Sequence, residues 1–183
     1  MSDDSQNVVT RLETPSSSRY LDRAHEEFEY LRQFGVQMSG YAFPTVLFIK
    51  GELNVSEKTG QPLLGGQDGD ALRAALDRLG YTENEWAACS IANVQNRTAD
   101  GIDILLLTIE TFDPELVIAL DKTACDDLLG IWDLGSLAIG EPGRHQGRRV
   151  LLLDGFETAL KSMSEKQRMW AYLKTVKPLS APM

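Results

Sequence analysis

The sequence predicts an α/β domain built on an open, mostly parallel four-stranded sheet with helices on both faces. Two observations lead there. Four short apolar runs, Thr45–Ile49, Trp86–Val94, Leu116–Leu120 and Val150–Leu153, have the length of strands and, in three of them, the unbroken apolarity of strands buried on both sides. Between them lie segments whose apolar residues recur at helical spacing, so strand and helix alternate along the chain as in crossover-connected parallel sheets.

Residues 1–18 are polar and end in Pro15-Ser16-Ser17-Ser18; they read as a flexible N-terminal tail. A helix is expected after Ser18, carrying Tyr20, Leu21, Ala24, Phe28, Leu31 and Phe34 on one face and Glu26, Glu27, Glu29 and Arg32 on the other. Gly35 and Gly40 break it. After the first strand, Asp68-Gly69-Asp70 offers a cap for a helix with Leu72, Ala75, Leu76 and Leu79 on one stripe, stopped by Gly80. A third helix is expected from about Asp100 to Phe112, ending near Asp113-Pro114, and a short one over Thr123–Leu129. Leu134–Ile139 reads as a short strand or an extended loop. A final helical stretch, interrupted around Ser162–Ser164, reaches Val176. The domain is thus expected over residues 19–178, with 179–183 as a C-terminal tail.

Composition narrows the function classes. The net charge is −9, and a protein that grips a phosphate backbone normally presents Lys and Arg, because counterion release supplies much of the binding free energy. Cys89 and Cys125 lie far apart in no metal-ligand spacing, and His25 and His145 are isolated, so buried reduced thiols are expected and no metal. No apolar run approaches the roughly 20 residues that span a bilayer. The first residues carry neither the basic start nor the apolar stretch of a signal peptide, so no membrane contact and a cytoplasmic location are the expectations.

Several motifs occur in order. Val46–Glu52 is an apolar strand delivering Gly51-Glu52, followed by Lys58-Thr59-Gly60-Gln61-Pro62-Leu63-Leu64-Gly65 and a helix. Ile91-Ala92-Asn93-Val94 follows the second strand, Asp113–Leu120 leads into the third, and Lys166-Gln167-Arg168-Met169-Trp170 with Leu173 and Val176 closes the domain. This succession, over roughly residues 44–177, resembles the uracil-DNA glycosylase superfamily and is most similar to its thermostable iron–sulfur class. The resemblance implies that fold and a pocket in which an extruded base is stacked, read along its polar edge and released as an anion.

The departures fall on the chemistry. Gly51-Glu52-Leu53-Asn54-Val55 keeps Gly-Glu but lacks the Pro-Gly that follows in the family. Leu63 replaces the stacking aromatic, forgoing roughly 1–3 kcal/mol per base. Leu153-Asp154-Gly155-Phe156-Glu157 stands where a His-Pro motif is expected, and an acid there would repel the departing anion. The cluster cysteines are missing, so no cofactor is expected. The candidate catalytic residues are Glu52, Asn54 and Asp154, and Glu57 and Glu157 are further acids that could face a pocket. Asn93 and Leu63 are the base-binding candidates, and Arg144, Arg148 and Arg149 in the single basic cluster are the candidates for nucleic-acid contact.

Two functions remain open. One is a domain without excision activity that binds a protein partner in DNA replication or repair, with DNA a less favoured partner for so acidic a chain. The other is an active glycosylase of altered mechanism that excises uracil or another damaged base.

Overall fold

The computed structural model describes Arg19 and residues 22–179. The expected tail 1–18, Tyr20 and Leu21 of the first helix, and residues 180–183 lie outside the described residues.

Helix α1 covers residues 22–33. It is followed by strands β1 (Gln37–Gly40) and β2 (Val46–Ile49), helices α2 (Val55–Lys58) and α3 (Gln67–Leu79), and strand β3 (Trp86–Ser90). A small hairpin, β4 (Thr98–Ala99) and β5 (Ile102–Asp103), precedes helix α4 (Ile104–Phe112), strand β6 (Leu116–Ala119) and helix α5 (Lys122–Ile131). Strands β7 (Gly143–His145) and β8 (Arg148–Leu152) lead to helices α6 (Phe156–Ala159) and α7 (Met163–Leu173) and a 3-10 turn over Lys174–Val176.

The main sheet has six strands in the order β1-β3-β2-β6-β8-β7, two more than expected. Its four inner strands are the four apolar runs of the sequence, and each pairs with its neighbour in parallel. The additional strands pair antiparallel at the two edges, β1 on β3 and β7 on β8. They escape the sequence pattern because they are short and half-exposed, with no continuous apolar run. Leu134–Ile139 is a loop of turns, and the third helix starts at Ile104 because residues 98–103 form the hairpin.

Side chains alternate across the inner strands as the pleat requires. Leu47, Ile49, Val117, Ala119 and Leu152 pack with α1, α4 and α5, whereas Val46, Phe48, Leu116, Ile118 and Leu151 pack with α3, α6 and α7. Helices therefore cover both faces, and every residue of β2 and β6 is buried. From β2 the chain steps outward to β3, then returns past β2 to reach β6 and β8, so the winding direction reverses between β2 and β6. Ligand sites in open α/β sheets lie outside the carboxyl ends of the strands at such a reversal.

The start of α3 shows how tightly the segment after β2 is folded. Gly66, not Asp68, is its N-cap residue. A Cβ on Gly69 would stand 1.6 Å from the Leu64 carbonyl oxygen, which also accepts a hydrogen bond from Arg73 Nη1 at 2.9 Å. Gly69→Ala is expected to destabilise the fold by about 2–4 kcal/mol in urea unfolding, since backbone must shift to admit one methyl group. An unchanged midpoint would mean that the loop carrying Leu64 yields freely.

A cleft at the carboxyl ends of the central strands

The chain beyond β2, β6 and β8 lines a cleft of about 230 Å³ at the winding reversal. Lys50 and Glu52 follow β2, Leu120 and Asp121 follow β6, Asp154 and Gly155 lie between β8 and α6, and Phe156 and Glu157 are in the first turn of α6, while Asp68 enters from α3. Thr158 and Lys161 complete the wall.

Beneath the cleft lies a buried ionic cage. The Lys50 ammonium donates to Glu57 Oε1 at 2.5 Å and Asp68 Oδ2 at 2.6 Å, and stands 3.0 Å from Glu157 Oε2. Lys50, Glu57 and Asp68 are each about 2 % exposed and so withdrawn from water, while the Glu157 side chain is 44 % exposed in the cleft. Such a cluster is tolerable only when each remaining lone pair and proton is matched. That condition is closely met for the buried acids. Glu57 also accepts from the backbone N–H of Asn54 and of Leu64, and Asp68 from that of Gly69. Asn54 donates from Nδ2 to Glu157 Oε1 at 3.0 Å, while its Oδ1 caps α2 by accepting from the Glu57 N–H.

The oxygens of Glu57, Asp68 and Glu157 lie within 4.8 Å of one another, a spacing at which three carboxylates can hold a metal ion. Lys50 Nζ occupies that focus, within 3.0 Å of an oxygen of each. Burial alone would lower the lysine pKa, but hydrogen bonds donated to Asp68, Glu57 and Glu157 and the charge of Asp68 outweigh it, so the ammonium titrates well above its ordinary value. A lysine held this way is a fixed cation and a poor nucleophile or base.

Asp121 organises the other wall. Its Oδ2 accepts from the backbone N–H groups of Gly51 and Glu52 at 2.9 and 3.0 Å, and its Oδ1 caps α5 through Ala124 N–H at 2.8 Å. The approach is close enough that a Cβ on Gly51 would meet Ala124 N at 2.6 Å, which accounts for the glycine in Gly51-Glu52. Glu52 in turn accepts from Thr123 Oγ1 at 3.1 Å.

The expected site residues divide between this cleft and the rest of the molecule. Glu52 and Asp154 line it, and Asn54 supports it through Glu157. Asp154 is half-exposed and lies 3.7 Å from Arg168 Nη2. Leu63 is buried among Val46, Phe48 and Leu72 and is not part of the cleft wall. Asn93 sits on an exposed turn after β3, donating to Gln37 Oε1 at 3.2 Å, also outside the wall.

Arg148 and Arg149 open β8 at the end of the sheet opposite the cleft, and both are buried. Arg148 binds Glu110, Asp113 and the Pro114 carbonyl, and Arg149 binds the Lys177 carbonyl and the Tyr81 hydroxyl. Arg144 alone of the three is exposed, on edge strand β7. Both cysteines are free and buried; burial pushes each thiol up to about 12, with nearby acids adding to the effect at Cys125.

Lys50 and Asp121 were the residues least visible as site residues. A charged residue directly after a fully apolar parallel strand is the signal that marks both. No family model matches the chain, and no curated protein matches it.

Lys50→Met is expected to destabilise the protein by about 3–5 kcal/mol at neutral pH, because the carboxylates are left facing one another without a cation. The folded-state pKa of Lys50 exceeds its unfolded value of about 10.4, so its contribution is complete below that pH and is lost as pH rises through the folded value. The gap in urea midpoint between wild type and Lys50→Met should therefore narrow only above about pH 10.4. A gap that stays constant through strongly alkaline pH would contradict the cage.

Proposed function

We propose that this chain is a uracil-DNA glycosylase-like domain that does not excise bases and that works by contact with another protein, in the setting of DNA replication or repair. The order of its motifs supports the kinship, and the charge of the cleft carries the argument about activity. Five acids, Glu52, Asp68, Asp121, Asp154 and Glu157, line that cleft against two lysines, Lys50 and Lys161.

Hydrolysis of an N-glycosidic bond to uracil leaves the base as an anion, and catalysis requires donors or cations aimed at that charge. Lys50 is already bound to three carboxylates. Asp154-Gly155 supplies neither donor nor cation where the resembled enzymes place His-Pro, and Asp154 would oppose the developing charge. An acidic mouth would also repel a phosphate backbone, and a net charge of −9 adds to that field. No described helix is long and apolar enough to cross a membrane.

The rival reading, a glycosylase of altered mechanism, has in its favour that Glu52 and Asp154 face one cleft. The two readings separate in a single-turnover assay on a single-stranded, uracil-containing oligonucleotide at high protein excess. No product above the buffer control is expected, and no retention of the oligonucleotide at low salt. Product formed by the wild type and lost in Glu52→Gln or Asp154→Asn would overturn the proposal; Asn93→Ala serves as a control outside the cleft.

A further inference from the structure

On the sheet face opposite α1, α4 and α5, helices α3, α6 and α7 leave an open groove of about 540 Å³ between them. Phe156, Met169 and Leu173 are buried beneath it, while Leu160 and Trp170 on one side and Ala71, Ala74 and Ala75 on the other line it together with Gln67 and Gln167. The alanines give one wall little side-chain bulk, so a backbone can approach closely. Trp170 forms part of the opposite wall, half-buried, with the Arg78 guanidinium stacked 4.7 Å from its ring centroid.

The charges of this groove run against those of the molecule. In a chain of net charge −9, the charged residues lining it are both cations, Arg78 and Lys166. Neither is part of an ion pair among the described residues, whereas Arg73 and Arg168 nearby in sequence are each paired with an acid. An apolar trough flanked by helices, rimmed by unpaired cations and holding a half-buried Trp beside an Arg has the composition of a binding hot spot. It matches the recognition of an amphipathic helix laid apolar face down.

We infer that this groove binds an acidic amphipathic helix of a partner protein, its apolar residues seated against Leu160 and Trp170 and its carboxylates meeting Arg78 and Lys166. The inference rests on the interaction-module reading and gives that partner a chemistry. A nucleic acid fits less well. Two cations neutralise too few phosphates, and of the two aromatics lining the groove Phe156 is buried, which leaves Trp170 as a platform where single-strand binders line up several.

The test is an NMR titration of the full chain with two synthetic helices. Both carry leucines at helical i, i+3, i+4 and i+7 spacing; one has glutamate and the other lysine on the polar face. The glutamate peptide should shift the Trp170 indole N–H and the amides of α3 and α7, binding about tenfold or more tightly than the lysine peptide. Arg78→Glu with Lys166→Glu changes only exposed side chains and should reverse that preference, which a misfolded variant would not do. Trp170→Ala should weaken the glutamate peptide by about tenfold or more.

Equal binding of the two peptides, no binding up to millimolar peptide, or shifts confined to another face would overturn the inference. So would tighter binding of a single-stranded oligonucleotide to the same residues, or concentration-dependent self-association that buries them. Failure here with no uracil excision would remove the groove assignment alone. Excision by the wild type with a working groove would remove the reading of an inactive domain and leave the groove.

Discussion

Withdrawing one ammonium from water at the end of the central strand imposes most of the order seen around the cleft. The desolvation of Lys50 is offset only if carboxylates reach it from several directions, and they come from α2, α3 and α6. Each of the three acids sits in the first turn of its helix. Unpaired backbone N–H groups at those ends favour negative charge. A cage with three carboxylates and one ammonium carries an excess of negative charge, and the backbone donors of Asn54, Leu64 and Gly69 absorb part of it. The short α2 makes sense in this light. Four residues have little helical stability of their own, and the capping box of Asn54 and Glu57 is formed by the same groups that serve the cage.

That arrangement also bears on chemistry. In an active site, charged side chains are kept partly unsatisfied until substrate arrives, and their pKa values are poised near the working pH. Here the lysine is triply bound and its titration is moved away from neutrality. At the carboxyl end of the central strand, these contacts tie α2, α3 and α6 to the sheet.

Much of the fold was legible because buried parallel strands leave a plain mark. Val46–Ile49 and Leu116–Ala119 are apolar at every position since both of their faces are covered. Gly80 as the stop of α3 was equally readable, and it adopts the left-handed conformation that favours glycine. The site was less legible, because its contacts join distant parts of the chain. Asn54 meets Glu157 and Gly51 meets Asp121, and nothing local in either segment announces the other. Arg148 and Arg149 show the converse error of local reading. As a run of basic residues they resemble an exposed contact loop, yet each is neutralised or capped by groups from α4, the loop after it, or the C-terminal segment. Leu63 carries a similar lesson, since its position in the motif says nothing of which side of the loop faces the core.

The two antiparallel edge strands have a consequence for the molecule in a crowded solution. A parallel sheet with bare margins offers rows of backbone donors and acceptors on which another chain can polymerise. Here β1 is four residues long and ends in Gly40 at a positive φ, and β7 is three residues long, with Arg144 exposed and His145 stacked on Trp132. Such margins are too short and too interrupted to template a continuous ribbon. Growth of the sheet from one molecule into the next is thereby discouraged, and encounters between copies are left to their helical flanks.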